Sequence, residues 1–500
     1  MKNKNIKIEY LLMLIYTIET KYLVSINSIR FNEVFTDPDQ AIFYTIGKAL
    51  INGKILYKDI FDHKTPYIYF ANALASLLEK NHLGLFIIEV IIMFITLIYV
   101  YKISRIYFSN TISIVAAFYI GFILNINSIS FGYSRTEAYA IMCLMPAVYI
   151  FVKYFEGENI IFNYKSMFVV GILAGITFMT NIRAIILFVP FALALLVKLI
   201  INKRNKEILL LFVFGLLGVL ASILPYLIYA VVTNSVKDAF YAIVSTNINY
   251  AKSTVDTGSG IVETAKILVK EHIAFYMFLL ISFISFILLK SNKYLKCSIM
   301  ASFIIAFIYV TFSNRTYVYY LVILMPFMLS IYYLVIRFFD KKKRDKLNIL
   351  ISTICLALFL VISFVVNKGI TNRYINHYRR AVKTNDCAIR YFGDNKDIKV
   401  LAYGFLPEVY VYMNKIPDFK YFTTPRLSYN IDSTAYKEQY KYILNKEPDF
   451  VVYREENLNT GIPIDMIYQV HSILETSYEL LDTIRTNQYE GTFYIYAKKK

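Results

Sequence analysis

Residues 36–67, TDPDQAIFYTIGKALINGKILYKDIFDHKTPY, decide how this chain is read. They gather Asp37, Asp39, Asp59, Asp62, His63 and Lys64 between long apolar runs, and ionisable groups are placed there only where they meet water or do chemistry. Asp37 can accept from free backbone N–H groups at a helix start, and Pro38 suits the first helical position. Ile42, Ile46, Ala49 and Leu50 then recur on one face, with Gln40, Thr45, Lys48 and Asn52 off it, which predicts an amphipathic helix lying along a membrane surface. Asn52-Gly53 ends that helix. Tyr57 to Tyr67 reads as a polar turn before the apolar run resumes at Ile68, so both acidic clusters are expected at one aqueous interface.

Outward from this loop the chain is apolar. Of its 500 residues 57% are hydrophobic, more apolar surface than one soluble core can bury, so the chain belongs in a bilayer. Runs near 9–27, 84–102, 111–128, 138–152, 166–180, 183–201, 208–231, 273–290, 297–312, 317–336 and 347–366 predict about eleven transmembrane helices. The net charge of +18 is not a nucleic-acid signature, because Lys and Arg sit mainly in short connections: Lys102 and Arg105, Lys153 and Lys165, Lys203 to Lys206, Lys290 to Lys296, Lys341 to Arg344. Every second connection is basic. With those in the cytoplasm, the N-terminus is cytoplasmic and residues 28–83, 128–137, 181–183, 232–272, 313–316 and the tail lie outside. The first helix lacks a cleavage site and reads as uncleaved. Three of the four cysteines lie in apolar runs, which leaves no disulfide framework or zinc spacing.

The expected architecture is therefore a polytopic α-helical membrane domain, residues 1–366, with an external loop over 28–83, and a small soluble extracytoplasmic α/β domain over 367–500. In the latter, KVLAYG and DFVVY read as buried strands, PEVYVYMNK and TAYKEQYKYILNK as helices, and TFYIYAKK as a final strand.

Asp39 and the following IFYTIGKALINGKILYKDIFDHKTPY resemble the first external loop of the polytopic C-type glycosyltransferases, in the branch that includes protein O-mannosyltransferases and aminoarabinose transferases. FGYSRTEAY, 131–139, is similar to the family's second external loop, where an acidic residue after a small polar one lines the acceptor side. GILAGITFMTNIRAIILFVP, 171–190, resembles its Gly-bearing helix leading to a basic residue at the membrane face. SNRTYVYYLVILMP, 313–326, resembles a late motif in which Arg precedes a His-Tyr pair, with Tyr319 standing where the family has His. The resemblance implies an inverting transferase that moves a sugar from a polyprenyl-phosphate donor to a lipid, glycan or protein acceptor at the outer face of a bacterial plasma membrane.

Such a displacement at an anomeric carbon needs a base for the acceptor and cations for the departing phosphate, but no strong acid. Asp39 is the candidate base, with complementing the helix dipole as its alternative role. Asp37 reads first as the helix cap and second as an acid/base or metal partner. Glu137 is the further catalytic candidate, beside Arg135, and an ordinary solvated pair is the alternative. Arg183, on the external side against the positive-inside trend, and Arg315 are placed on the donor phosphate, with snorkelling the bland reading for Arg183. Asp62, His63, Lys64, Arg135 and Tyr319 complete the candidate substrate contacts, although a loop His is also an ordinary hydrogen-bonded turn residue. No cofactor is required, and Asp37, Asp39 and Glu137 leave room for a divalent metal. A flippase for lipid-linked saccharide and a non-catalytic assembly subunit are the rival functions. The first should carry charged or broken helices near the bilayer midplane, whereas the ionisable groups here concentrate at helix ends.

Overall fold

A computed structural model describes residues 8–31, 36–78, 82–130, 135–157, 163–252, 261–313, 315, 317–340, 397–425, 427–454, 461–486 and 491–499. The chain forms two compact units: one collects Met1–Arg30, Phe86–Tyr226 and Ser259–Thr371, the other Phe31–Leu85, Leu227–Gly258 and Asn372–Lys500. The helices in chain order are α1 (Ile8–Val24), α2 (Pro38–Ile51), α3 (Tyr67–Ser76), α4 (Leu83–Ser104), α5 (Asn110–Leu124), α6 (Asn127–Ser130), α7 (Thr136–Glu156), α8 (Tyr164–Thr180), α9 (Val189–Ile201), α10 (Asn205–Val232), α11 (Val236–Phe240), α12 (Thr246–Lys252), α13 (Ile261–Glu271), α14 (Ile273–Leu288), α15 (Lys293–Thr311) and α16 (Leu329–Asp340).

Six helical stretches among the described residues are long and apolar enough to cross a bilayer: Leu83–Ser104, Thr136–Glu156, Ile182–Ile201, Asn205–Val232, Lys293–Thr311 and Val318–Arg337. A seventh arises if α13 and α14, bent by 93° at their junction, count as one span. The runs read at 111–128 and 166–180 form shorter apolar helices, α5 and α8. The run at 347–366 and the domain boundary at 367 lie outside the described residues. Two of the long spans open as 3-10 helix, over Ile182–Phe188 and Val318–Met328, before continuing as α9 and α16. In the first unit α8 and α10 cross backbone to backbone. A Cβ built on Gly171 would stand 2.1 Å from the Gly215 carbonyl oxygen, and one on Gly218 2.1 Å from the Phe168 carbonyl oxygen, so that crossing exists only because Gly171 and Gly218 lack side chains.

The second unit holds α2 and α3, the α11–α12 segment and a four-stranded sheet of order β1-β2-β4-β3. Strand β1 (Val400–Ala402) runs parallel to β2 (Phe450–Arg454), which pairs antiparallel with β4 (Gly491–Lys498). Strand β3 (Tyr478–Thr486) closes the other edge, with an irregularity between Leu480 and Asp482. Leu401, Val451, Tyr453, Ile443, Val470, Leu474 and Tyr496 form the core of this layer, under α17 (Glu408–Tyr412), α18 (Thr434–Leu444) and α19 (Ile464–Ser477). Both early strands, the final strand, α17 and α18 fall where the sequence places them. The sequence reading missed α19 and β3, whose YELLDTIRT mixes charges along an edge strand.

Helix α2 departs from expectation. It does not keep a solvated polar face: Gln40 and Thr45 are buried along with Ile42, Phe43, Tyr44 and Ile46. The reason is α3, packed so closely that a Cβ on Gly47 would meet the Ala73 nitrogen at 2.5 Å, while α17 covers α2 as well. Periodicity reports which residues can face a core, not how many neighbours a helix acquires.

Candidate active site

The first constellation lies within the second unit and starts at the head of α2. Asp37 has extended backbone, and its Oδ1 accepts from the Asp39 N–H at 3.0 Å and the Gln40 N–H at 3.2 Å. Pro38 follows at the first helical position, where its missing N–H costs nothing. The cap buries Asp37 and leaves Asp39 half-exposed on the first turn. The two carboxylates, one residue apart, thus sit in different surroundings.

After Asn52 closes α2 and Gly53 turns with φ +88°, the chain folds onto itself. Expected as a solvated turn, Tyr57 to Tyr67 is instead mostly buried, because two tyrosines tie it from within. The Tyr57 hydroxyl donates to the Lys64 carbonyl at 2.6 Å, and the Tyr69 hydroxyl donates to Asp62 Oδ2 at 2.6 Å while accepting the Lys64 N–H at 3.1 Å. His63 Nδ1 stands 3.1 Å from Asp62 Oδ1. Burial alone would raise the Asp62 carboxyl, but His63, Lys64 and the Tyr69 hydroxyl outweigh it and hold Asp62 well below the usual carboxylate range. Burial, reinforced by Lys64, pushes the His63 imidazole down, against the pull of Asp62 and Asp39. At neutral pH Asp62 is therefore an anion fixed in place and His63 a neutral ring. From α12, Asn247 donates to the His63 carbonyl at 2.6 Å, and the Tyr250 ring lies 5.1 Å from the His63 ring and 5.6 Å from the Lys64 ammonium. Asn247, the second residue of α12, comes just after Tyr241–Ser245, a π-helical turn of the kind that re-aims side chains.

The second constellation lies within the first unit. Arg135 precedes α7, and Glu137 is buried in its first turn. Between α8 and the 3-10 stretch, Asn181 accepts from the Ala184 N–H with its side-chain oxygen and donates from Nδ2 to Thr136 Oγ1 at 3.2 Å and Glu137 Oε1 at 3.3 Å. One amide thus joins two helix ends to one carboxylate. Arg183, two residues on, reaches the Tyr320 hydroxyl at 3.5 Å and lies over the rings of Tyr320 and Tyr309. Arg135 stacks its guanidinium 4.0 Å from the Tyr319 ring, which in turn meets Tyr320 edge to face at 5.1 Å. Arg315 is buried, its carbonyl accepting from Ser313 Oγ at 2.8 Å. Arginines stacked on aromatic faces beside the positive end of α7 form a low-water, cationic environment suited to an anion.

The structure thus links Arg135 and Tyr319 to Arg183 through Tyr320, holds Glu137 by Asn181, and separately joins Asp62, His63 and Lys64. Tyr69, Asn247, Tyr250, Asn181, Tyr309 and Tyr320 were missed by sequence reasoning. Asn181 alone carried a signal, a polar residue between two apolar runs. The tyrosines carried none, being four among 45 Tyr. Among the described residues, no three His, Cys, Asp or Glu side chains gather as metal ligands.

Comparison with known proteins follows the same lines. Residues 63–229 match the family model of dolichyl-phosphate-mannose-protein mannosyltransferase. No curated protein matches this sequence. Among solved structures the fold matches ArnT from Cupriavidus metallidurans bound to undecaprenyl phosphate, with TM-score 0.62 and 8% identity, over 98% of this chain and 97% of that one. The apo state of the same protein matches with TM-score 0.63 at 8% identity, over 98% and 97% of the two chains. The archaeal oligosaccharyltransferase AglB from Archaeoglobus fulgidus, in complex with an inhibitory peptide and a dolichol-phosphate, matches with TM-score 0.53 and 12% identity, over 98% of this chain and 74% of its own.

Proposed function

We propose that this chain, a membrane protein with the fold of the C-type glycosyltransferases, is an inverting glycosyltransferase that moves a sugar from a polyprenyl-phosphate donor to a hydroxyl of a lipid, glycan or protein acceptor on the outer face of a bacterial plasma membrane. In one displacement the acceptor oxygen bonds to the anomeric carbon as the bond to the phosphate oxygen breaks. The acceptor's proton passes to Asp39, and the polyprenyl phosphate leaves as an anion held by Arg183 and Arg315, with Arg135 beside them. Lys64 and Glu137 contact substrate, and the reaction as proposed draws on no cofactor.

The observation that carries this reading is the division between Asp37 and Asp39. Asp37 is occupied in capping α2, whereas Asp39 stands half-exposed in the first turn and takes no part in that cap, which supports Asp39 as the group that takes the proton. The external placement rests on the alternation of basic connections. The protein in nanodiscs, given a synthetic polyprenyl-phosphate sugar and a mixed extract of envelope lipids and glycans, should release polyprenyl phosphate and a glycosylated product of inverted anomeric configuration. A retained configuration, or no release with any polyprenyl-phosphate sugar tried, sinks the reading.

A further inference from the structure

The first unit contains a cavity along the middle and C-terminal part of α7, from Leu144 to Val152. Its walls come from α4, α7, α9, α14, α15 and the segment running from Ile323 into α16. Glu137 and Glu156 bracket the length of α7, which at ~1.5 Å per residue places the two ends roughly 28 Å apart. The interior is almost wholly hydrocarbon, with Leu144, Val148, Phe191 and Ile299 among its lining, and it measures about 120 Å³. An apolar cavity of ~150 Å³ stays dry and takes benzene, so this one suits a stretch of hydrocarbon chain.

Its rim is not apolar. Lys290, Lys296 and Arg337 line the cavity, and no Asp or Glu does. Lys296 Nζ donates to the Ile287 carbonyl at 2.6 Å and the Leu289 carbonyl at 3.3 Å, and Arg337 donates to the Lys290 carbonyl at 2.8 Å, which pins both cations at the C-terminal end of α14. Each keeps donors in hand, since an ammonium has three and a guanidinium five. The nearby carboxylate, Glu156, is engaged behind the wall, accepting from the Asn292 N–H at 3.0 Å and the Tyr107 hydroxyl at 3.2 Å. A hydrocarbon slot with a cationic mouth is complementary to one kind of molecule, an amphiphile with an anionic head.

We infer that this cavity binds one anionic phospholipid, its acyl chain between α7 and α15 and its phosphodiester at Lys290, Lys296 and Arg337. The site is separate from the arginine cluster assigned to the donor. Charge selects the head and the dry slot selects the chain, so both parts are needed.

The test is native mass spectrometry of the detergent-purified full chain titrated with phosphatidylglycerol and, separately, phosphatidylcholine of matched chains. Wild type should hold one phosphatidylglycerol with a preference on the order of tenfold or more, given about 1 kcal/mol for each basic group near an anionic head. Lys290→Gln, whose side chain is exposed, should lower that preference several-fold without disturbing the fold. The triple change Lys290→Gln, Lys296→Gln, Arg337→Gln should abolish the preference, and Val148→Phe should exclude both lipids. Equal binding of the two lipids by wild type overturns the inference. So does a preference untouched by Lys290→Gln and Val148→Phe, which would mean lipids spread over the whole surface. Displacement of phosphatidylglycerol by polyprenyl phosphate would assign the slot to the donor's chain instead.

Discussion

From the head of α2 to α3 several side chains find a partner close by in sequence, Asp37 with Gln40, Tyr57 with Lys64 and Tyr69 with Asp62, while Asn247 adds a contact from α12. In the arginine cluster partners come from far away: Glu137 with Asn181, Arg135 with Tyr319, Arg183 with Tyr320. Part of the loop can organise itself as a short segment before Asn247 and Tyr229 reach it, whereas the cluster exists only once its helices have docked. Ionisable groups in the loop are thus fixed by local geometry, and those in the cluster report on the packing of the bundle.

The strongest test of this contrast falls on the loop. Asp39→Asn keeps size and most hydrogen bonding but cannot take a proton, so turnover should fall ~10²–10⁴-fold while donor binding hardly changes. Asp37→Asn should be far milder, because Asn caps a helix nearly as well as Asp. Transfer assays at matched folded protein decide it. If Asp37→Asn abolishes turnover and Asp39→Asn does not, the two roles are exchanged.

Acid should also act on the unit that holds the loop. His82, buried against Tyr44 and facing Lys48, has its imidazole pushed down by burial and by Lys48, from 6.5 to about 4. The unfolded chain then takes up the proton first. Stability is complete above about pH 6.5 and is lost as pH falls towards 4, by ~3 kcal/mol at most. Unfolding midpoints in nanodiscs across that range should drop for wild type and stay flatter for His82→Asn, which retains a residue tolerant of the positive φ at this position. Parallel pH profiles for the two proteins would remove His82 as the cause.

Tyr69→Phe should cost about 1–3 kcal/mol, since it strips a buried carboxylate and a backbone N–H of their shared hydroxyl. The damage should stay in the loop, with faster protease cleavage there and cleavage elsewhere unchanged. A substitution that proves neutral would show that the loop is held from outside after all. The smallest expected effect is in the cluster. Arg183→Lys and Arg315→Lys keep charge but lose the planar fork, so donor use should weaken roughly tenfold each. Unaltered donor kinetics in both would assign these arginines to lipid headgroups.

The same contrast explains what could be read in advance. The cap at Asp37, the stop at Asn52-Gly53, the long spans and three of the four strands follow from patterns within a few residues, and all were legible. The burial of α2 was not, because nothing in its own sequence announces that Gly47 meets the α3 backbone. Nor was Asn181, whose importance comes from Glu137 on another helix. The tyrosines around the arginines are chemically ordinary in a chain that has no Trp and uses Tyr at every polar–apolar boundary.

The α8–α10 crossing carries a consequence for engineering. Where Gly171 and Gly218 each face backbone of the other helix, there is no side chain to yield, so the joint behaves as a bearing without clearance. Asn181 stands at the end of the arm that runs from that bearing. Attempts to reshape this helix would throw the arm, and the Asn181–Glu137 contact at its end, out of alignment. Variation is better spent on the loops, where a change of shape stays where it is made.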